Sequence, residues 1–255
     1  MGIMPALSDI VTAANSLLRI AEIPDYGNAL NGLQLENSSG QVTKIAAAVD
    51  ATLPVMRKAA AIGADLLVVH HGMFWSGLQP ITGAVFEKVR LCGEKQIAVY
   101  SAHLPLDVHP ELGNNARLMR SLGFEPDGGF LDFKTIKVGV TATGDVSLDD
   151  LAQRLRKSLD GPVHVCAGGP QKIRRIGVST GGSGSEVAAA KAAGLDAFIT
   201  GEGPHWSYTL AEELGIHVLY GGHYATETFG VKALSAHLSA QFGVEWEFID
   251  HPTGM

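Results

Sequence analysis

The chain has 255 residues, 46% of them hydrophobic and 31 of them glycine, with a formal net charge of −7. That length holds two small domains or one large α/β unit around a real core, and the apolar share excludes a disordered chain. The acidic balance argues against a general binder of nucleic acid or of anionic membranes, and no apolar run is long enough to span a bilayer.

Residues 7–21 set Ile10, Val11, Ala14, Leu17, Leu18 and Ala21 at helical spacing, with Ser8 as the N-cap. A turn-rich stretch, DYGNALNGLQLENSSG, leads into an apolar strand over 45–50. Helices are predicted over 54–63, 83–93 and 111–122, and strands over 65–70 and 96–102. In the middle, a strand over 136–142 precedes a helix in which Ser147 and Asp150 form a capping-box pattern and Gly161 is the stop. A strand over 175–180, the turn 181-GGSG-184 and a helix over 185–193 follow, then strands over 196–200 and 216–220 and a long helix from 224 to 242. Strands alternating with helices give an α/β fold. Cys92 and Cys166 form no CxxC, offer no thiolate metal site and suit a reducing compartment. Without a signal-peptide pattern, a cytoplasmic location is expected.

Two pieces of this order repeat. With Ile45 laid over Ile176, Gly63 meets Gly194, Asp65 meets Asp196 and Gly72 meets Gly203. Further on, 100-YSAHLPLD-107 lies over 220-YGGHYATE-227, so His103 meets His223 and Asp107 meets Glu227. Two related halves are expected, residues 1–128 and 129–255, each carrying polar residues at equivalent strand ends.

Those strand ends carry the chemistry. His70-His71, His103-x3-Asp107 and His223-x3-Glu227 each follow an apolar strand, and open α/β sheets gather ligands outside the carboxyl ends of their strands. Neutral imidazole and carboxylate are ordinary ligands of Zn, Mn and Fe. Neighbouring strand side chains point to opposite faces, so His70 and His71 converge only if the chain bends, which Gly72 permits. His223 and Glu227 can share one side of a helix start, whereas Pro105 makes a strand end and loop the expectation for 103–107. Six such groups fit two metals sharing one site between the halves better than a single ion. Among other features, 181-GGSG-184 is read as a plain turn before a cradle for an anion, Trp75 as buried, and Asn31, Gln34 and Glu36 as within reach of the site or simply as a turn entering a strand.

The segments 31-NGLQLE-36, 49-VDAT-52, 64-ADLLVVHHGMFW-75, 101-SAHLPLDVHPELGNN-115, 195-LDAFITGE-202 and 222-GHYATETFGVKAL-234 together resemble the NIF3-like (DUF34) family, whose bacterial members carry the label "GTP cyclohydrolase 1 type 2 homolog". Where the family pattern has a proline after the two histidines, this chain has Gly72. The resemblance implies a NIF3-like fold, with two related α/β halves whose mixed sheets are flanked by helices. It also implies a dinuclear centre of two divalent ions (Zn, Mn or Fe) with His70, His71, Asp107, His223 and Glu227 as ligands. His103 would lie beside the metals as a ligand or proton carrier. A ring-shaped homohexamer is implied too, in the compact form without an inserted domain.

Glu202 and His205 occupy the second-half position equivalent to the histidine pair, where they would transfer protons or touch substrate. Two functions from different classes suit these residues. The first is a metal-dependent hydrolase acting on a small molecule, with ring opening of GTP and formate release as the family label suggests. The second is a non-catalytic metal-binding hexamer serving as a trafficking factor or regulator. Neither requires nucleic acid or membrane.

Overall fold

The computed structural model describes residues 4–255. The first helix, α1 (Leu7–Leu18), buries Leu7, Ile10, Ala14 and Leu18 on one stripe. Its N-cap is Ala6 rather than Ser8, and the entry is held by backbone, with the Leu7 N–H donating to Gly40 O at 2.9 Å. After β1 (Gly32–Leu35) and β2 (Lys44–Asp50), α2 (Leu53–Ala61) starts at Thr52, whose hydroxyl accepts from Val55 N, with Pro54 in the first turn where its missing N–H costs nothing. Then come β3 (Leu66–His71), α3 (Gly83–Lys95), β4 (Ala98–Ser101), α4 (Leu104–Asp107) and α5 (Asn114–Ser121). The short α4 corrects the expected loop, because Pro105 sits in its first turn, the one place in a helix that tolerates proline.

The chain continues through β5 (Gly128–Phe133), β6 (Ile136–Val146), α6 (Leu148–Leu159), β7 (His164–Ala167) and β8 (Ile173–Val178). Ser147 caps α6 as expected, but its stop is Asp160, left-handed at φ 49°, one residue before Gly161. A 3-10 turn at Ser183–Glu186 leads into α7 (Val187–Ala192), β9 (Ala197–Thr200), α8 (His205–Leu214) and β10 (His217–Tyr220). The single long helix expected from 224 is two, α9 (His223–Thr226) and α10 (Thr228–Phe242), broken at Glu227. The last strand is β11 (Glu245–Phe248). Among the described residues no helix is long and apolar enough to cross a membrane.

The chain forms two compact units, Met1–Leu106 with Gly230–His251, and Asp107–Phe229 with Pro252–Met255. This differs from a cut between residues 128 and 129. The last strand adds in parallel to β2 and carries the C-terminal segment back to the first sheet, while α5 packs on β6 and β8. The first unit holds a five-stranded sheet in the order β1-β4-β3-β2-β11. Val55, Met56 and Ala59 of α2 and Cys92 of α3 pack on Leu67, Val69 and Val99. Strand β3 is buried along its whole length, as parallel strands covered on both faces are.

The second unit holds a six-stranded sheet in the order β5-β6-β8-β9-β10-β7. Alternation along its strands feeds two cores. Ala197, Ile199 and Leu219 join α5 and α6 through Met119, Leu151 and Leu155. Phe198 and Val218 join α7 and α8 through Val187, Ala190 and Ala211.

The positions that repeat in the sequence have counterparts in the strand order of the two sheets. Parallel β2-β3-β4 corresponds to parallel β8-β9-β10, and each triplet has an antiparallel edge strand, β1 on β4 and β7 on β10. Gly63 and Gly194 both follow a helix with positive φ, 71° and 78°. Asp65 accepts the N–H groups of Thr43 and Lys44 at 2.7 and 3.1 Å, and Asp196 accepts those of Arg174 and Arg175 at 2.8 and 3.0 Å. The same side chain thus ties down the start of the neighbouring parallel strand in both units.

Candidate metal centre

In the first unit, β3 ends on His70 and His71, and β4 leads to His103 just before α4. One ring nitrogen from each of the three lies within 4.8 Å of the others. The rings of His70 and His71 stand 4.9 Å apart at 48°, and those of His70 and His103 are 4.8 Å apart. All three residues are buried.

Each ring is oriented by an acceptor at Nδ1. His70 Nδ1 donates to Ala102 O, His71 Nδ1 to Asp50 Oδ1 and His103 Nδ1 to Asp25 Oδ1, each at 2.9 Å. A carbonyl or carboxylate cannot donate, so Nδ1 carries a proton, and in the neutral tautomer this leaves the lone pair on Nε2. This is the arrangement in which metal-ligating histidines are held. Three imidazole nitrogens of this kind fit a divalent ion that takes imidazole ligands, such as Zn or Fe.

Sequence reasoning missed Asp25. Its carboxylate also accepts from Leu104 N at 2.9 Å, Asn31 Nδ2 at 2.8 Å and Tyr26 N at 2.7 Å. Burial pushes its pKa up, but the bond to His103 and the imidazole charge, with Asn31 and the Tyr26 N–H, hold it below the ordinary value. Asn31 further accepts from His103 N at 2.8 Å, and Gln34 accepts from Met73 N at 2.7 Å, so both do reach the histidine-bearing turns; Glu36 is exposed beyond β1. Trp75 is half-buried and lies against the cluster, with its ring 4.5 Å from His103 and 4.8 Å from His71.

Gly72 acts by close approach rather than by a left-handed bend, since its φ is not positive. A Cβ there would meet the Gln34 amide at 2.2–2.6 Å.

In the second unit, Glu202, His223 and Glu227 come together. His223 Nδ1 donates to Glu202 Oε1 at 2.8 Å, and His223 Nε2 lies 3.1 Å from Glu227 Oε2. Burial disfavours the charge on His223, but Glu227 and then Glu202 outweigh it and raise the pKa to about 9. A proton there occupies the position between imidazole and carboxylate that a divalent cation can take instead. Glu227 is buried, and a Cβ on Gly181 would stand 2.2 Å from its Oε1. Gly181, at φ 68°, is thus the residue that admits the carboxylate. Within the 181-GGSG-184 turn, Gly181 packs on the Glu227 carboxylate.

Asp107 ends α4, buried, with Asn114 Nδ2 donating to its Oδ1 at 2.8 Å. His205 is the exposed first residue of α8 and lines, with Glu202, a cavity of about 620 Å³. His237 is exposed on α10, and Cys92 and Cys166 are buried core thiols.

The chain is similar to known proteins along nearly its whole length. The sequence model of the family described as Duf34/NIF3 (NGG1p interacting factor 3) matches residues 5–254. A Deinococcus radiodurans protein named "GTP cyclohydrolase 1 type 2 homolog" is 41% identical over 249 residues, 97% of this chain and 94% of that one. An Archaeoglobus fulgidus protein of the same name is 38% identical, covering 98% and 99%. Among solved structures, the protein ybgI, titled as of unknown function, superposes with a TM-score of 0.90 at 34% identity, covering 98% of this chain and all of that one.

Proposed function

The chain belongs to the Duf34/NIF3 family, and from that premise we propose that it is a metal-dependent hydrolase acting on a small cyclic substrate, with GTP ring opening as the reaction its relatives' names suggest. The carrying observation is the trio of buried imidazoles, each with Nδ1 donated and one nitrogen within 4.8 Å of the others. In this reading His70 and His71 of the first unit and Asp107, His223 and Glu227 of the second hold two divalent ions. Zn, Mn and Fe all suit the ligands. Bound ions would supply Lewis acidity, acidifying water and polarising the bond to be cleaved.

The protein's own groups do the rest. Asp25 fixes the His103 proton on Nδ1, so Nε2 accepts a proton from water and the Asp25 carboxylate stabilises the imidazolium that forms. Glu202 orients His223 through Nδ1. His205, on the cavity wall, returns a proton to the leaving group. The ring-shaped homohexamer is carried over as part of the proposal, and light scattering that reads other than six times 26.8 kDa would remove it.

The test is metal analysis of freshly purified protein, followed by incubation with GTP and with a generic phosphodiester. His71→Ala should lose metal and turnover together. His103→Ala should keep its metal and lose turnover; loss of the metal as well would reassign His103 as a ligand. Turnover surviving both substitutions defeats the assignment, and full metal occupancy without turnover of either substrate favours the non-catalytic reading.

A further inference from the structure

Asn114 and Asn115 open α5, and both are fully buried. A core gains little from two carboxamides, because each polar atom left unpaired there costs free energy that an apolar side chain would not. The Asn115 amide is used at both hydrogens and at its oxygen. Its Nδ2 donates to Asp107 O at 3.3 Å and to Val138 O at 2.6 Å, and its Oδ1 accepts from Thr180 N at 2.8 Å. Asn114 Nδ2 donates to Asp107 Oδ1 at 2.8 Å. The first turn of α5 thus grips Asp107 by backbone and by side chain, and the same turn fixes the backbone just beyond β8.

That backbone leads to Glu227. The next residue, Gly181, donates its N–H to Thr226 Oγ1 at 3.1 Å, and the Thr226 hydroxyl donates in turn to Gly222 O at 2.9 Å. Gly181 O accepts from Thr200 Oγ1 at 3.2 Å and from the N–H groups of Gly201 and Glu202 at 2.9 and 3.0 Å. Gly181 is therefore held at both its N–H and its carbonyl, and the Glu227 carboxylate rests against it where a Cβ would stand 2.2 Å from Oε1. Thr200 and Thr226 are fully buried, like Asn115. One buried series of hydrogen-bonded groups runs from Asp107 through Asn115, Thr180 and Gly181 to Thr226, the neighbour of Glu227, all within the second unit. A satisfied buried network of this kind holds one arrangement rather than several.

We propose that Asn115 and Thr226 are positioning residues: from the two sides of the Thr180–Gly181 backbone they set Asp107 and Glu227 in the register that divalent-ion binding requires. The proposal rests on the metal role given to these two carboxylates and adds the groups that hold them. Without the Asn115 amide, Thr180 N, Val138 O and Asp107 O lose their partner, and the end of α4 is no longer tied to the turn beneath Glu227. Without the Thr226 hydroxyl, the Gly181 N–H loses its acceptor on the other side.

Cobalt(II) loading of the full chain tests this, because the visible absorption of the ion reports its ligand geometry and chelator competition reports its affinity. Asn115→Ala should bind cobalt about tenfold more weakly and shift the absorption of the ion that is bound. Thr226→Val, close in shape to the natural side chain, should move both readouts in the same direction, and it carries the test if Asn115→Ala does not fold. Asn37→Ala is the control. Asn37 is buried in the first unit, donates to Gln41 O and Asp65 O at 3.0 and 3.2 Å and accepts from Gly40 N at 3.0 Å. Its loss should lower the melting temperature and leave cobalt affinity and spectrum alone. A folded Asn115→Ala or Thr226→Val with the natural affinity and spectrum overturns the proposal, as does Asn37→Ala shifting both as far. A natural chain that takes up no cobalt removes the metal reading and this role with it, whereas uptake that the variants leave unchanged removes the role alone.

Discussion

At the scale of single residues, the histidines were legible because apolar strands end on them, but the groups that orient them were not. Asp50 could have been found by the same rule, since it closes the strand over 45–50 and pairs in register with His71. Asp25 could not: it lies 78 residues from His103 in a turn-rich stretch, and only the folded chain brings them to 2.9 Å. Its four donors make Asp25→Asn a sharp probe. An amide NH2 would face at least one N–H, and His103 would lose the acceptor that fixes its tautomer. In the proposed role His103 carries a proton and holds no ion, so loss of its orienting partner should cost about 10–100-fold in turnover. Competition with a chromophoric chelator should read an unchanged metal affinity, and a fall there would make His103 a ligand. Unfolding in urea should show a stability loss of about 1–3 kcal/mol from the mismatched buried donors. Unchanged turnover would reduce Asp25 to a structural group.

At the scale of elements, the parallel strands β2, β3 and β9 were read correctly because each is a nearly continuous apolar run. The edge strands were not, because they are short and half exposed: β5 opens on two glycines, and β7 and β11 each have four residues, most of them exposed or half-buried. Their pairing partners, not their composition, make them strands. The turn after β3 gives a second prediction. Gly72→Ala places a methyl against the Gln34 amide, which is held by bonds to Met73 N, Ala29 O and Leu30 O at 2.7, 3.1 and 2.9 Å. Displacing it breaks hydrogen bonds worth about 0.5–1.5 kcal/mol each, so a loss of about 1–3 kcal/mol is expected in chemical denaturation, recovered in part by the double variant with Gln34→Ala. A third prediction concerns β5, β6 and β8. Asp127 is bound by Arg175, Thr143 and Thr141, which outweigh its slight burial and lower its pKa to about 2. A depressed carboxylate stabilises the fold above its unfolded pKa of about 4 and loses that contribution as pH falls toward 2. The stability gap between the natural chain and Asp127→Asn should accordingly be flat from pH 7 to 5 and close progressively below 4. Because the side chain is 37% exposed, solvent screens the pair, and the gap should also shrink in high salt.

At the scale of the whole molecule, each unit has a core of its own, built on Leu67, Val69 and Met56 in the first and on Leu151, Ile176 and Phe198 in the second. Nothing in the hydrophobic effect obliges such cores to melt together. Under the proposed function, however, ions that draw ligands from both units bind only when both are folded, and any ligand that binds only the native state stabilises it by mass action. One site filled at a hundred times its dissociation constant contributes about 2.7 kcal/mol. Scanning calorimetry of metal-loaded protein should therefore show one transition. The same protein in chelator should melt earlier and resolve into two. His71→Ala should give the chelator trace in either condition, because it removes a ligand and leaves both cores intact. A thermogram of the natural chain that is identical with and without metal would mean that the ions, wherever they bind, do not couple the units, and would remove the shared centre from the proposal.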